Sequence, residues 1–233
     1  MTAAVMQPYF FPYIGYFQMI KAVDVFVFYD DVNYIKKGWI NRNRILVKGK
    51  DKLFTIPLKD ASQNKMINEV EIFLERPEVR KILETIKQNY KKAPFYQNVF
   101  PIIENVFSTE VSTIADLTIL SIKSVNEYLG ITTVLKRSSV DFADTKGLER
   151  AERLIAICKH TGAEKYINAV GGQELYTKEY FASQGIDLKF IKSEPIAYKQ
   201  FDNEFVPWLS IIDVLMFNSV EEVQVILNKY LLV

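Results

Sequence analysis

The apolar positions of the chain keep two rhythms in turn. A short apolar run at Ala4-Val5-Met6, an aromatic stretch broken by Pro8 and Pro12, a helical segment, and a second apolar run over 25–28 that closes on Asp30-Asp31 describe one βαβ unit. Residues 40–46 and 53–57 then flank the charged turn Lys48-Gly49-Lys50-Asp51, the pattern of a hairpin, and Val70-Glu71-Ile72-Phe73 alternates at period two and predicts a third strand. Pro77 opens a stripe of Val79, Ile82, Leu83, Ile86 and Tyr90 at helical spacing. Further helices are predicted over 97–107 and 112–129, the latter stopped by Gly130. From Thr132 the rhythm becomes strand (132–136), helix (148–160), strand (165–168), helix (174–183) and strand (186–191), with a last helix over 220–231.

Strands that alternate with helices predict a parallel sheet with right-handed crossovers. The expected fold is α/β, a Rossmann-like doubly wound parallel sheet of five strands in the order 3-2-1-4-5, with an inserted β-hairpin and helical segment. The whole chain, 1–233, reads as a single α/β domain, and the insertion, 35–130, completes the cleft. In such a sheet, ligands bind beyond the carboxyl ends of the strands, where the strand order reverses.

Composition narrows the chemistry. The chain has 233 residues, 49% of them hydrophobic, which is enough for a substantial core. Lys plus Arg (29) nearly balances Asp plus Glu (28), so no global field draws the protein to nucleic acid or to an acidic membrane, and any anion site is local. One cysteine, Cys158, and one histidine, His160, exclude an internal disulfide and the usual zinc ligand sets, so no metal site is expected. The first residues lack a basic region followed by a long apolar stretch, and no later run is long enough to span a bilayer, so the expectation is a cytoplasmic protein without membrane insertion. Nothing in the pattern specifies an oligomeric state.

The polar groups cluster at the predicted strand ends. The loop after the first strand, Gln7–Phe17, holds two prolines and six aromatic residues, which are costly to expose unless they build a pocket wall or plug the sheet edge. Gln7, Tyr9, Phe10 and Gly15 are its candidate ligand contacts. Asp30 and Asp31 end the second strand, where a carboxylate accepts from a sugar hydroxyl, serves as general base, or simply caps a turn; Asn33 and Tyr34 follow. Lys36, Lys37, Arg42 and Arg44, interleaved with Trp39, Asn41 and Asn43, offer guanidinium forks for phosphate and an indole face for a base or sugar. The same mixture suits a transient contact with a tRNA acceptor end. Asn168 to Gly172 follows the fourth strand, and Gly171-Gly172 lets backbone amides approach a phosphate; the predicted strand order sets this loop beside Gln7-Pro8. Cys158 lies on an apolar helix stripe and reads as an inert thiol, and His160 suits the helix dipole. Ser210, Asp213 and Asn218 sit in an apolar segment and need partners, with Tyr198 and Gln200 in reach.

Several of these segments resemble the WbqC-like proteins of bacterial surface-polysaccharide gene clusters. The resemblance is carried by Gln7-Pro8-Tyr9-Phe10-Phe11-Pro12-Tyr13-Ile14-Gly15-Tyr16-Phe17, by Trp39-Ile40-Asn41-Arg42-Asn43-Arg44-Ile45, and by Glu152-Arg153-Leu154-Ile155-Ala156-Ile157-Cys158-Lys159. It continues through Gly171-Gly172 with Tyr176 and through Pro207-Trp208-Leu209-Ser210 to Asn218. It implies a transferase of O-antigen or lipopolysaccharide biosynthesis that modifies a nucleotide-activated amino sugar by N-acyl or N-aminoacyl (for example glycyl) transfer, and it adds Arg153 to the substrate contacts. Such chemistry needs a base, Asp30 or Asp31, and oxyanion donors, Tyr13, Tyr16 or amides near Gly15. No permanently bound cofactor is expected; the donor is acyl-CoA, an aminoacyl-tRNA, or an adenylate made from ATP and magnesium. The opening also resembles nucleotidyltransferases and class I aminoacyl-tRNA synthetases, whose His-x-Gly-His loop grips nucleotide phosphates. Here both histidine positions are tyrosines, Tyr13 and Tyr16, neutral near pH 7, which weakens that alternative. A non-catalytic sugar-nucleotide-binding protein is the third reading.

Overall fold

A computed structural model describes residues 1–233. The central sheet is built from β1 (Thr2–Met6), β2 (Val25–Phe28), β5 (Val134–Arg137), β6 (Lys165–Ala169), β7 (Asp187–Ser193) and β8 (Tyr230–Leu232), in the order β5-β2-β1-β6-β7-β8. The first five are parallel, in the order expected for a Rossmann-like doubly wound sheet. Val25, Phe26, Val27 and Phe28 are all buried because helices cover both faces, the condition under which a strand is apolar without alternation. Ala4, Phe26 and Phe28 join the larger core with α1 (Ile14–Lys21), α4 (Ile114–Leu129), α8 (Ile211–Phe217) and α9 (Val220–Ile226). Ala3, Val5, Val25 and Val27 face the other way, against α6 (Arg150–Thr161) and α7 (Lys178–Ser183).

Between β2 and β5 the chain forms a separate hairpin, β3 (Arg42–Val47) and β4 (Lys50–Thr55), and the helices α2 (Pro77–Tyr90), α3 (Tyr96–Ser108) and α4. Lys48 and Gly49, at φ 51° and 75°, make the left-handed two-residue turn that a hairpin favours. A one-turn helix, α5 (Ser138–Asp141), follows β5 directly. The hairpin is bolted to the main domain: Phe10 N–H donates to the Ile40 carbonyl at 3.1 Å, and Ser210 N–H to that of Arg44 at 2.9 Å.

Three expectations need correction. Val70-Glu71-Ile72-Phe73 is not a strand; it makes only single bridges, Leu58 to Ile72 and Glu71 to Thr113, although Val70 and Ile72 are buried as the alternation implied. The helix over 174–183 begins only at Lys178, since a 3-10 turn at Val170–Gly172 takes up the preceding loop. The last helix stops at Ile226, and Tyr230–Leu232 turns back to pair antiparallel with β7. Apolar spacing alone continues through Tyr230 and Leu231, but the open edge of β7 offers hydrogen bonds that a further helical turn does not.

Candidate functional site

The loop after β1 divides its aromatic residues between core and cleft. Phe10, Phe11, Tyr16 and Phe17 are buried, so Phe10, a candidate contact by sequence, is instead a core residue, set edge-on to Phe54 and Phe107. Phe11 adopts a left-handed φ of 41°, held from three sides: its N–H by Ser121 Oγ (3.2 Å), and its carbonyl by Asn43 Nδ2 (2.6 Å) and Ser210 Oγ (2.7 Å). This clamped backbone leaves Tyr9, Pro12 and Tyr13 facing outward. Together with Trp39, Asn43 and Trp208 they enclose a cavity of about 270 Å³.

Two tryptophans rise from its rim, Trp39 at 40% and Trp208 at 68% exposure, where large apolar side chains are normally buried. The guanidinium groups of Arg42 and Arg44 lie 5.7 and 5.2 Å from the Trp39 ring. Arg42 Nε also donates to the Gly38 carbonyl at 2.8 Å, and Arg44 makes a long, exposed ion pair with Asp51 at 3.6 Å, so both heads stay near the indole yet reachable from solvent. Trp208 is carried on a strap, residues 194–210, between β7 and α8. Its φ of 61° is strained for a bulky residue, a conformation that persists only when its surroundings impose it. Its ring meets Tyr13 at 6.2 Å between centroids. Gly15 explains the pose of Tyr13: a Cβ there would stand 2.3 Å from the Tyr13 ring and 2.6 Å from Ser193 Oγ. Burial raises the phenol pKa of Tyr9 and Tyr13, against a hydrogen bond from Ser193 in the latter case, so both offer neutral hydroxyls at physiological pH.

Tyr16 does not share the cleft. It is buried, its hydroxyl donates to the Gln7 carbonyl at 2.9 Å, and desolvation pushes its pKa well up, so it braces the loop instead of meeting a ligand. Asn41 is likewise structural, accepting from Tyr34 (2.8 Å) and donating to the Ile56 carbonyl (2.8 Å). Asn33 and Lys37 are exposed beyond the cavity lining.

Asp30 and Asp31 stand just past the carboxyl end of β2, where the sequence placed them, but buried and fully engaged. Asp30 accepts at Oδ2 from Arg137 (Nε 2.8 Å, Nη2 2.7 Å) and Ser139 Oγ (2.8 Å), and at Oδ1 from Ser139 N–H (3.0 Å), while its own N–H donates to Ser138 Oγ (3.1 Å). Asp31 accepts from Arg153 Nη2 at 2.6 Å and, through its other oxygen, from the Ser138 hydroxyl. Arg137 and Ser138, at the end of β5, are partners that the sequence did not announce; strand-end serines are too common to be a signal. Arg153, expected to meet substrate, spends one nitrogen on Asp31 and donates Nε to Thr145 Oγ1 at 3.1 Å.

The candidate residues thus fall into two groups. Tyr9, Tyr13, Trp39, Asn43, Arg42 and Arg44 gather at the aromatic cleft, beside the larger core. Gln7, Asn168, Gly171, Gly172 and Arg153 lie at the ends of β1 and β6 and the start of α6, on the opposite face of the sheet. Trp208 and Pro12 complete the cleft; in the sequence Trp208 appears only within the apolar segment from Pro207 that carries the resemblance. A second cavity of about 250 Å³ lies between β4 and α2, lined by Lys52, Phe54, Ile82 and Thr85 among others, and contains no candidate residue. No helix is long and apolar enough to cross a membrane.

Comparison with known proteins fits a distributed resemblance. A Mycobacterium tuberculosis protein described as "Uncharacterized protein Rv1507c" is 28% identical over 222 residues, covering 92% of each chain. No solved structure matches. The family model described as "WbqC-like protein family" matches residues 7–225, from the aromatic loop through the cleft and the strap to α9. The chain belongs to the WbqC-like protein family.

Proposed function

We propose that the protein is a transferase that modifies a nucleotide-activated amino sugar in bacterial surface-polysaccharide biosynthesis, by N-acyl or N-aminoacyl transfer, and that the aromatic cleft binds this substrate. The observation that carries the reading is the pair of exposed tryptophans across a single cleft, Trp208 held there in a strained backbone conformation. Indole faces stack on bases and on the C–H faces of sugars, the tyrosine hydroxyls bond ring hydroxyls, and the two arginines on Trp39 hold guanidinium donors beside the stacked group.

In the transfer step, the sugar amine attacks the donor carbonyl as the free base. A C–N bond forms, the acyl bond to the leaving thiolate, ribose oxygen or adenylate phosphate oxygen breaks, and the amine proton ends on that leaving group or in solvent. Tyr13, the exposed neutral phenol of the cleft, is the candidate donor to the oxyanion. Asp30 and Asp31, with their oxygens already engaged, act in this reading as the frame of the β2 loop and not as the base. That engagement also favours a second reading, a sugar-nucleotide-binding protein without turnover, because neither acid presents a free oxygen to a substrate.

The test incubates the protein with nucleotide-linked amino sugars and, in turn, acyl-CoA, aminoacyl-tRNA, and amino acid with ATP and magnesium. Transfer adds the mass of one acyl group to the sugar nucleotide. Binding without any mass change across all donors selects the second reading, and absence of both overturns the two together.

A further inference from the structure

A second polar site lies on the other face of the sheet. The register pairs Val5 with Val27 and Met6 with Phe28, so Gln7 stands beside Tyr29, whose N–H donates to the Met6 carbonyl at 2.8 Å. On the far side of β1, Ala3 pairs with Tyr166, which puts Asn168 level with Val5 and on the same face. Tyr29, Gln7 and Asn168 therefore form a polar row across the carboxyl ends of three adjacent parallel strands, at the point where the strand order reverses.

Tyr29 is engaged by Arg153, whereas the two side-chain amides of the row keep spare donors. The Gln7 side-chain amide makes no hydrogen bond. Asn168 is only 8% exposed; its Oδ1 accepts from Ala169 N–H at 2.8 Å, while its Nδ2 donates to nothing in the chain. A Cβ at Gly172 would lie 2.5 Å from that Nδ2, so only glycine leaves room there for the Asn168 amide itself. Above the row begins α6, a helix of 12 residues whose N-cap, Glu149, supplies no side-chain cap to the first-turn amides. Arg150, its first residue, is exposed and has no carboxylate partner, although Glu149 and Glu152 flank it in solvent. One turn on, the Arg153 guanidinium lies 4.9 Å over the Tyr29 ring, its charge matched by Asp31. Gln7 and the first turn of α6 thus meet at Tyr29, whose ring lies under Arg153 and whose phenol feels the charge of Arg150, with Asn168 on the same face across β1 and the buried Asp31 already paired.

We infer that Gln7, Tyr29, Arg150 and Asn168, closed by Gly172 and the start of α6, form a phosphate-binding site that takes the diphosphate of the substrate. Amide donors without a partner in the chain, together with the free guanidinium of Arg150, suit a phosphoryl group, which presents acceptors in every direction. The loop from Gln7 to Tyr13 joins this site to the aromatic cleft in the sequence. That the phosphate belongs to a sugar nucleotide rests on the reading above; the anion site itself does not.

Calorimetric titration of the full-length protein with inorganic pyrophosphate and with uridine, in magnesium-free buffer, separates the two ideas. Pyrophosphate should bind the native protein, and Arg150→Gln and Asn168→Ala should each weaken it by roughly tenfold or more, with Arg150→Lys restoring part of the loss. Trp208→Ala should leave pyrophosphate binding unchanged. Arg150 is exposed, so its variant folds even where Asn168→Ala does not. No pyrophosphate binding to the native protein, or equal binding to Arg150→Gln, overturns the site. Pyrophosphate binding that depends on Arg150, with sugar nucleotides and uridine failing to compete or bind, upholds the anion site and sinks the sugar-nucleotide assignment.

Discussion

At the carboxyl end of the sheet, Asp30 and Asp31 lie buried under Arg137 and Arg153 with their oxygens occupied, whereas at the aromatic cleft Trp39 and Trp208 stand 40% and 68% exposed. Both groups look like chemistry in the sequence, acids at a strand end and aromatics among basic residues. Their environments differ in satisfaction. A buried carboxylate matched to a guanidinium and to hydroxyl donors is complete, and removing its partner is costly. Exposed indoles, Trp208 on a strained backbone, have surface to spare, which in the proposed reading a stacking ligand covers. In that reading the ligand is therefore placed at the unsatisfied groups and not at the charged ones.

The largest effect should come from breaking the complete cluster. Asp31→Asn leaves Arg153 buried without a carboxylate and should cost about 3–5 kcal/mol, read as a fall in the urea midpoint at unchanged m-value. A variant as stable as the native protein yet without transfer would return Asp31 to the role of base and erase the contrast. Next comes the incomplete site: Trp208→Gly should lower sugar-nucleotide affinity by roughly tenfold or more while stability stays level or rises by up to ~1 kcal/mol, since glycine adopts a positive φ without strain. Loss of stability in step with affinity would make Trp208 a packing residue.

Asp213 sharpens the contrast from a third side. It is buried, accepts from Tyr90 (2.7 Å), Tyr198 (2.7 Å) and Gln200 (2.6 Å), and has no cation. Desolvation raises its pKa, with the three hydrogen bonds opposing. A folded-state pKa above the unfolded value, about 3.9, means that the native state holds the proton more tightly. Its contribution to stability is thus full below the unfolded pKa and is lost as pH rises through the folded one. In urea midpoints from pH 4 upward, Asp213→Asn should lack this decline, so the variant gains on the native protein as pH rises; parallel curves would refute the shift. The smallest effect concerns Cys158, whose thiol burial pushes up to about 12: at pH 8 it should stay unmodified by thiol reagents until the protein unfolds.

The sheet was legible because period-two and helical spacings separate cleanly over 132–191, and because doubly wound connections leave few strand orders. β8 was not, since Tyr230 and Leu231 continue the helical spacing and only the neighbouring edge of β7 makes them a strand. In the site, the Gln7–Phe17 loop announced a wall, but which aromatics face the cleft depends on the Phe11 clamp from Asn43, Ser121 and Ser210, residues 32, 110 and 199 positions away. The partners of Asp30 and Asp31 lie more than a hundred residues downstream for the same reason. Residue type was readable; satisfaction, a property of distant pairs, was not.

Trp39 and Trp208 are the chain's two tryptophans and both line the cleft, so its fluorescence reports on the cleft alone. Titrating a nucleotide-linked amino sugar into Trp39→Phe and Trp208→Phe, each with one indole left, tests the central claim directly. The account predicts a saturable change in both variants, each indole responding to the same ligand, and competition by the parent nucleotide. A sugar nucleotide that binds by calorimetry while neither indole responds would place the substrate elsewhere and contradict it.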